Sequence, residues 1–95
     1  SAWLDSVLKM REQYPLKYPA HDHVNPQYVL QELDRLTGGD VVLTTEVGQN
    51  QMWAAQYFRV KRPRSFISSG GLGTMGFGLG ASVGASIGRP GTAAF

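Results

Sequence analysis

The sequence predicts an α/β fold, a parallel sheet with helices flanking it. Three observations carry that expectation. Segments with helical spacing of apolar residues alternate with short β-branched or aromatic runs, the pattern of strand–helix–strand crossovers. The two full runs, at 41–45 and 66–67, each lead into a polar or glycine-rich stretch and then another helical pattern. A third apolar run opens at Thr92-Ala93-Ala94-Phe95 and continues the alternation. Such crossovers are right-handed, and ligands sit beyond the carboxyl ends of the strands.

Each element has a local cause. Ala2–Gln13 sets Trp3, Leu4, Val7, Leu8 and Met10 at near-helical spacing among Asp5, Lys9 and Glu12, which predicts a short amphipathic helix. Residues 14–23 hold Pro15 and Pro19 and cannot continue it. They predict an extended connector, so residues 1–24 are set apart as the end of a preceding domain and residues 25–95 as a second unit. Asn25-Pro26 is a helix start, with Asn as N-cap and Pro in the first helical position. Tyr28, Val29, Leu33 and Leu36 make one stripe, and Gly38-Gly39 ends the helix. Val41-Val42-Leu43-Thr44-Thr45 suits a buried strand. Residues 46–50 predict a polar strand-end loop, and 51–58 a helix with Met52 and Trp53 in the core. Residues 59–64, RVKRPR, form a basic loop stopped by proline. Phe66-Ile67 starts the second strand. A tight glycine turn follows at 68–75, and a helix opens near Met75 and runs to Ile87. Its small residues, Gly76, Gly80, Ala81, Gly84, Ala85 and Gly88, make it intrinsically weak and predict a small face packed tightly on a sheet or helix. Arg89-Pro90-Gly91 ends it.

The totals narrow the classes. A length of 95 residues suits one small domain. The chain opens inside an amphipathic pattern without a starting Met and stops as an apolar run begins, which predicts a piece of a longer polypeptide. With no cysteine, disulfide scaffolds and thiolate metal sites are excluded, and a cytoplasmic setting is compatible. A net charge of +2 is too small to argue for nucleic acid. No apolar run is long enough to predict a membrane span, and the first ten residues lack a signal-peptide pattern.

Gly71-Leu72-Gly73-Thr74-Met75-Gly76 matches G-x-G-x-x-G, with a strand before it and a helix after. The acidic residue of a dinucleotide site, roughly 20 positions on, would fall past Phe95. Three readings stay open: a dinucleotide site, a structural glycine turn, or a different phosphorylated cofactor. Gly70, Gly71 and Gly73 allow a sharp turn and close approach of a ligand to main-chain atoms. Gln49, Asn50 and Gln51 are consecutive amides able to donate to a phosphate or carbonyl. Glu46 is either a general base or a helix-start carboxylate, and the second reading is preferred. Met75 either wedges under a bound ring or covers the helix start. His21 and His23 lie in a proline-flanked connector without further His or Cys, a poor metal set. Lys61-Arg62-Pro63-Arg64 reads as a solvated turn rather than a nucleic-acid patch. The chain offers no Ser-His-Asp or Cys-His set, P-loop lysine or paired carboxylates, so any reactive chemistry belongs to a cofactor. The loops at 46–50 and 68–75 are expected to face one gap.

Glu46-Val47-Gly48-Gln49-Asn50-Gln51-Met52-Trp53-Ala54-Ala55-Gln56, then Arg62-Pro63-Arg64, then Ser69-Gly70-Gly71-Leu72-Gly73-Thr74-Met75-Gly76-Phe77-Gly78-Leu79 resembles the acetolactate synthases, also called acetohydroxyacid synthases. The resemblance covers residues 25–90. It implies the thiamine diphosphate-binding fold, as the first part of the C-terminal domain of the large catalytic subunit. The family's activity is decarboxylation of pyruvate and condensation of the two-carbon unit with a second 2-oxo acid, in branched-chain amino-acid biosynthesis; the glycine motif alone would also suit another thiamine diphosphate-dependent decarboxylase or carboligase, the alternative reading. The resemblance also implies a cofactor-binding set. Gly48, Gln49 and Asn50 would lie at the diphosphate. Gly73, Thr74 and Met75 would lie at the aminopyrimidine ring, with the Met75 side chain holding the cofactor bent.

Further implications follow from the same resemblance. A 2-oxo acid is the substrate. The assembly is a homodimer or higher, open to a regulatory subunit. The compartment is cytoplasmic, or plastid or mitochondrial in a eukaryote. Mg²⁺ would be held by a Gly-Asp-Gly motif just after Phe95, FAD by a middle domain, and the activating glutamate by an N-terminal domain of the partner subunit. Alone, the 95-residue chain would be inactive and weak in cofactor affinity. Two positions depart from the family pattern: Asn50 where His is usual, and Gly80 where Pro is usual.

Overall fold

The computed structural model describes residues 1–20 and 22–95. Its centre is the run Val41-Val42-Leu43, each residue at most 4% exposed. Strand β1 (Leu43–Thr44) pairs in parallel with β2 (Phe66–Ile67), Leu43 opposite Phe66 and Thr44 opposite Ile67. On its other side, Val42 forms a parallel bridge to Ala94. The Val42 N–H donates to the Ala93 carbonyl at 2.9 Å, and the Phe95 N–H donates to the Val42 carbonyl at 3.0 Å. The run around β1 therefore lies between two parallel neighbours, which explains why Val41-Val42-Leu43 is apolar and the run as a whole is rich in β-branched residues.

Four helices complete the order: α1 (Ala2–Gln13), α2 (Pro26–Thr37), α3 (Gln49–Tyr57) and α4 (Phe77–Gly88). Alternation of side chains along the β1 run assigns the helices to two faces. Val41 and Leu43 join Ala54 and Phe58 in the core, with Leu30, Leu33 and Phe66 packed against it. This is the α2–α3 face. Thr44 turns the other way, and its hydroxyl donates to the Gly78 carbonyl of α4 at 3.2 Å. The predicted α/β fold with a parallel sheet and flanking helices is thus the observed one, and both crossovers run from a strand through a helix to a parallel neighbour.

Several local expectations need correction. Ladder pairing confines β1 to Leu43–Thr44, although Val41, Val42 and Thr45 are buried as expected of a strand. Asn25 stands at the start of α2, but its side-chain amide donates to the Pro19 carbonyl at 3.0 Å instead of capping. The inward residues of α2 are Leu30 and Leu33, whereas Tyr28, Val29 and Leu36 are exposed, because the sheet lies on a different side of the helix than the stripe implied. Met52 is 57% exposed and Ala54 takes the core position in α3. Every residue of α1 is exposed, its apolar stripe included. The connector does dock: Tyr18 meets the Tyr57 ring edge-on at 5.5 Å between centroids and donates to Gln31 Oε1.

Only part of the small face of α4 is packed: Ala81 and Ala85 are half-buried on the side of Gly78. Gly80, Gly84 and Gly88 are exposed, and among the described residues nothing stands within 4 Å of where a Cβ would sit. The close approach is at Gly78, which is buried against the end of β1. Arg89 then pins the far end of α4, donating to the hydroxyl of Ser65 at 2.9 Å; Ser65 is itself 1% exposed.

Candidate functional site

Parallel pairing of β1 and β2 brings their carboxyl ends to one edge, so the segments leaving them start side by side. Hydroxyls tie them there. Thr45 Oγ1 and Ser68 Oγ share a hydrogen bond of 2.7 Å, and Gln51 Nε2 donates to the same Ser68 oxygen at 2.7 Å. Thr45 is 6% exposed, so this bond fixes both strand ends in a partly buried setting. The third of the three amides is thereby used within the fold, while Gln49 and Asn50 remain exposed.

The first segment is shorter than expected. The helix starts at Gln49, with Gly48 as N-cap at φ 118° and ψ −146°, so Gln49 and Asn50 form its first turn and not a loop. That backbone conformation is open to glycine almost alone. The start of α3 carries no side-chain cap among the described residues, and nothing among them stands within 4 Å of a Cβ placed on Gly48. Its first-turn N–H groups and helix dipole face outward beside two neutral amides, an arrangement that accepts an anion.

The second segment is a turn held by Ser69. Its carbonyl accepts the Gly73 N–H at 3.0 Å and its hydroxyl accepts the Thr74 N–H at 3.0 Å. Gly73 and Gly76 both have positive φ, at 65° and 80°. Met75 and Leu72 project outward, 85% and 94% exposed. The helix begins at Phe77, two residues later than expected, so Met75 belongs to the turn.

Glu46 joins the two segments. Its carboxylate accepts the N–H of Gly76 at 2.7 Å and that of Gly78 at 2.5 Å. The helix-start carboxylate predicted from the sequence is therefore present, but it serves α4, thirty-odd residues away, and not the helix that follows it. The Val47 Cγ1 lies 3.8 Å from where a Cβ on Gly73 would sit, so the segments also touch at their tips. A dinucleotide on Gly71–Gly76 would need the N–H groups of α4 that Glu46 holds, which argues against that reading.

Other features lie elsewhere. A hollow of about 590 Å³ opens between Arg11, Tyr14, Gln31, Asp34 and Arg59, away from both segments. Asn50 lines one rim of an apolar hollow of about 480 Å³ beside Val29, Leu30 and Trp53. Arg62 holds Asp40 through two contacts of 2.8 Å at the opposite end of the strands, which anchors the basic loop. On the surface of α2, the hydrogen bond from Arg35 keeps the Glu32 carboxyl below the usual carboxylate range, and Glu32 raises the guanidinium in turn. His21 lies outside the described residues; among those described, no group of three His, Asp or Glu stands close enough to hold a metal ion. No helix among them is long and apolar enough to cross a membrane.

Sequence reasoning missed Ser68, Ser69 and Thr45 as the residues that hold the site. The available signal was their position: short hydroxyl side chains immediately past a strand end, where they reach neighbouring backbone and side chains.

Residues 46–95 match the family described as thiamine pyrophosphate enzyme, C-terminal TPP binding domain. Among curated proteins, the chain is 50% identical over 91 residues to acetolactate synthase 2, chloroplastic, of Nicotiana tabacum, covering 95% of this chain. It is 50% identical over 92 residues to acetolactate synthase 1, chloroplastic, of Oryza sativa subsp. japonica, covering 96% of this chain. It is 45% identical over 89 residues to acetolactate synthase, chloroplastic, of Arabidopsis thaliana, covering 93%. The chain spans 14%, 14% and 13% of the length of these three relatives.

Proposed function

The chain belongs to the thiamine pyrophosphate enzymes, through their C-terminal TPP binding domain, and on that premise we propose that it is part of an acetolactate synthase. The whole protein would decarboxylate pyruvate and condense the two-carbon unit with a second 2-oxo acid. The observation that carries the site assignment is the coupling of a helix start at Gly48, without a side-chain cap among the described residues, to a turn with an exposed Met75, through Glu46.

The residues present fit thiamine diphosphate. At one side, Gly48, Gln49 and Asn50 offer backbone N–H groups, amide donors and no Cβ in the way, which suits a diphosphate. At the other, Gly73, Thr74 and Met75 offer main-chain atoms and an apolar side chain, which suits a flat heterocycle. When bound, the cofactor supplies the nucleophilic carbon and electron sink for decarboxylation. The chain's own part is positional. Gly48 would let the diphosphate approach the backbone, the amides would fix its orientation, and Met75 would support the ring. Mg²⁺ and FAD, the homodimer or higher assembly, and any regulatory subunit are assigned to other parts of the longer protein, and residues 1–24 to the join with its preceding domain. A plastid is the compartment favoured by the names of the relatives, with the cytoplasm as the alternative in an organism without one.

Titration of the full-length protein with thiamine diphosphate and Mg²⁺ tests this reading. The wild type should bind saturably and form acetolactate from pyruvate. Met75→Ala should lose about tenfold in cofactor affinity or turnover, equivalent to about 1.4 kcal/mol, with folding intact because Met75 is exposed. An unchanged Met75→Ala variant removes that residue from the site, and a wild type that takes up no cofactor sinks the assignment.

A further inference from the structure

Two helix starts open near each other at this edge of the sheet, and they are treated differently. The start of α3 has no side-chain cap among the described residues. The start of α4 is filled by the chain's own carboxylate, Glu46, with one oxygen on the Gly76 N–H and the other on the Gly78 N–H. An anion already seated on a helix start satisfies its donors and repels a second anion. Glu46 also immediately precedes Val47 and Gly48, so the group that fills one start lies two residues from the cap of the other. A rigid link of this kind sets both where an incoming anion is accepted and how far away the Gly73–Met75 segment stands.

We propose that Glu46 is a positioning residue that fixes the direction in which the cofactor lies. By occupying the start of α4 it reserves the start of α3 for the diphosphate, and by gripping Gly76 and Gly78 it holds the turn that carries Met75 in place. The inference rests on the thiamine diphosphate reading above. Glutamine at this place would keep the shape but present one acceptor and one donor to two N–H groups, so one grip fails and the charge is lost. Ring placement then suffers, while the diphosphate's own donors on α3 stay intact.

The test compares thiamine diphosphate with inorganic pyrophosphate as ligands of the full-length protein, each with Mg²⁺, by calorimetric titration. Glu46→Gln should weaken thiamine diphosphate about tenfold and leave pyrophosphate within about twofold of the wild type. Adding Met75→Ala to Glu46→Gln should cost little beyond the larger single effect, since both act on the same ring. Should Glu46→Gln fail to fold, Glu46→Asp, which keeps the charge but is one methylene shorter and reaches at most one N–H, should give the same split between the ligands. Equal losses for both ligands would make Glu46 a merely structural residue and overturn the proposal, as would unchanged thiamine diphosphate affinity. Failure of the wild type to bind either ligand would instead overturn the cofactor reading itself.

Discussion

A Cβ on Gly78 would sit 2.9 Å from the backbone nitrogen of Glu46, closer than a Cβ stands to a non-bonded neighbour. It would also lie 3.0 Å from the carbonyl carbon of Thr45. These two neighbours are backbone and cannot swing aside, and the Glu46 carboxylate oxygen, also 2.9 Å away, would be displaced as well. Gly78→Ala should therefore destabilise the protein by about 1–3 kcal/mol, although alanine is the better helix former by about 1 kcal/mol. Gly80→Ala, two residues on with open space at its Cβ, should stabilise by about 0.5–1 kcal/mol. Denaturant midpoints of the two variants in the full-length protein check the pair. The reverse order would mean that α4 does not seat on Gly78.

Ser68 is the second point of fixation. Its hydroxyl meets both Thr45 and Gln51, each at 2.7 Å. Ser68→Ala leaves a buried threonine hydroxyl and a half-buried amide short of a partner, a loss of about 1–3 kcal/mol. It should also loosen both segments, so protection of their amides from hydrogen exchange should fall in step. Full stability with unaltered exchange would show that the hydroxyl cluster carries no weight in holding the edge.

The fold was readable from the sequence because its cause is local and repeated. Val41-Val42-Leu43 announces a strand flanked on both sides, and Gly38-Gly39 and Pro26 punctuate the helix before it. The adjacency of the two segments was readable too, because parallel strands put their carboxyl ends together. What sequence could not give is which side of each helix meets the sheet. The α2 stripe of Tyr28, Val29, Leu33 and Leu36 is regular, yet Leu30 and Leu33 face the core. The small residues of α4 repeat as though all were packed, yet Ala81 and Ala85 alone of that repeat are half-buried and the closest approach is at Gly78, outside it. Glu46 illustrates the same limit: its preference for a helix start was legible, but the helix it serves is defined by a contact thirty residues distant.

Gly39 tests the opposite end of the strands. It has φ 71°, and a Cβ there would stand 2.4 Å from the Arg59 carbonyl oxygen. Gly39→Ala should cost at least about 2 kcal/mol from the strained backbone and the collision together. Arg62, which holds Asp40 a few ångströms along the same corner, is more than half exposed. Arg62→Ala should cost under about 1 kcal/mol and lose even that at high salt. Thermal unfolding of both variants at low and high salt separates steric need from surface charge. A larger loss in the arginine variant would assign the corner to electrostatics.

Asn50 gives the prediction closest to the proposed ligand. It lies in the first turn of α3, exposed, at the place where the resemblance has histidine. An amide donates to a phosphate at any pH, so this residue gives the wild type no reason to bind more tightly in acid. Asn50→His introduces a group that gains a proton below about pH 6.5. The helix start opposes that charge and a bound diphosphate favours it, so the bound form should hold the proton to higher pH than the free one. Affinity for thiamine diphosphate should therefore rise in the variant as pH falls from about 8 to about 6, while any wild-type trend over that range must come from other groups. At an exposed position, solvent limits the gain to about two- to fivefold. Titrations of both proteins at the two pH values, with Mg²⁺ and constant ionic strength, decide the matter. Parallel pH profiles would place Asn50 away from the diphosphate and leave only Gly48 and Gln49 to receive it.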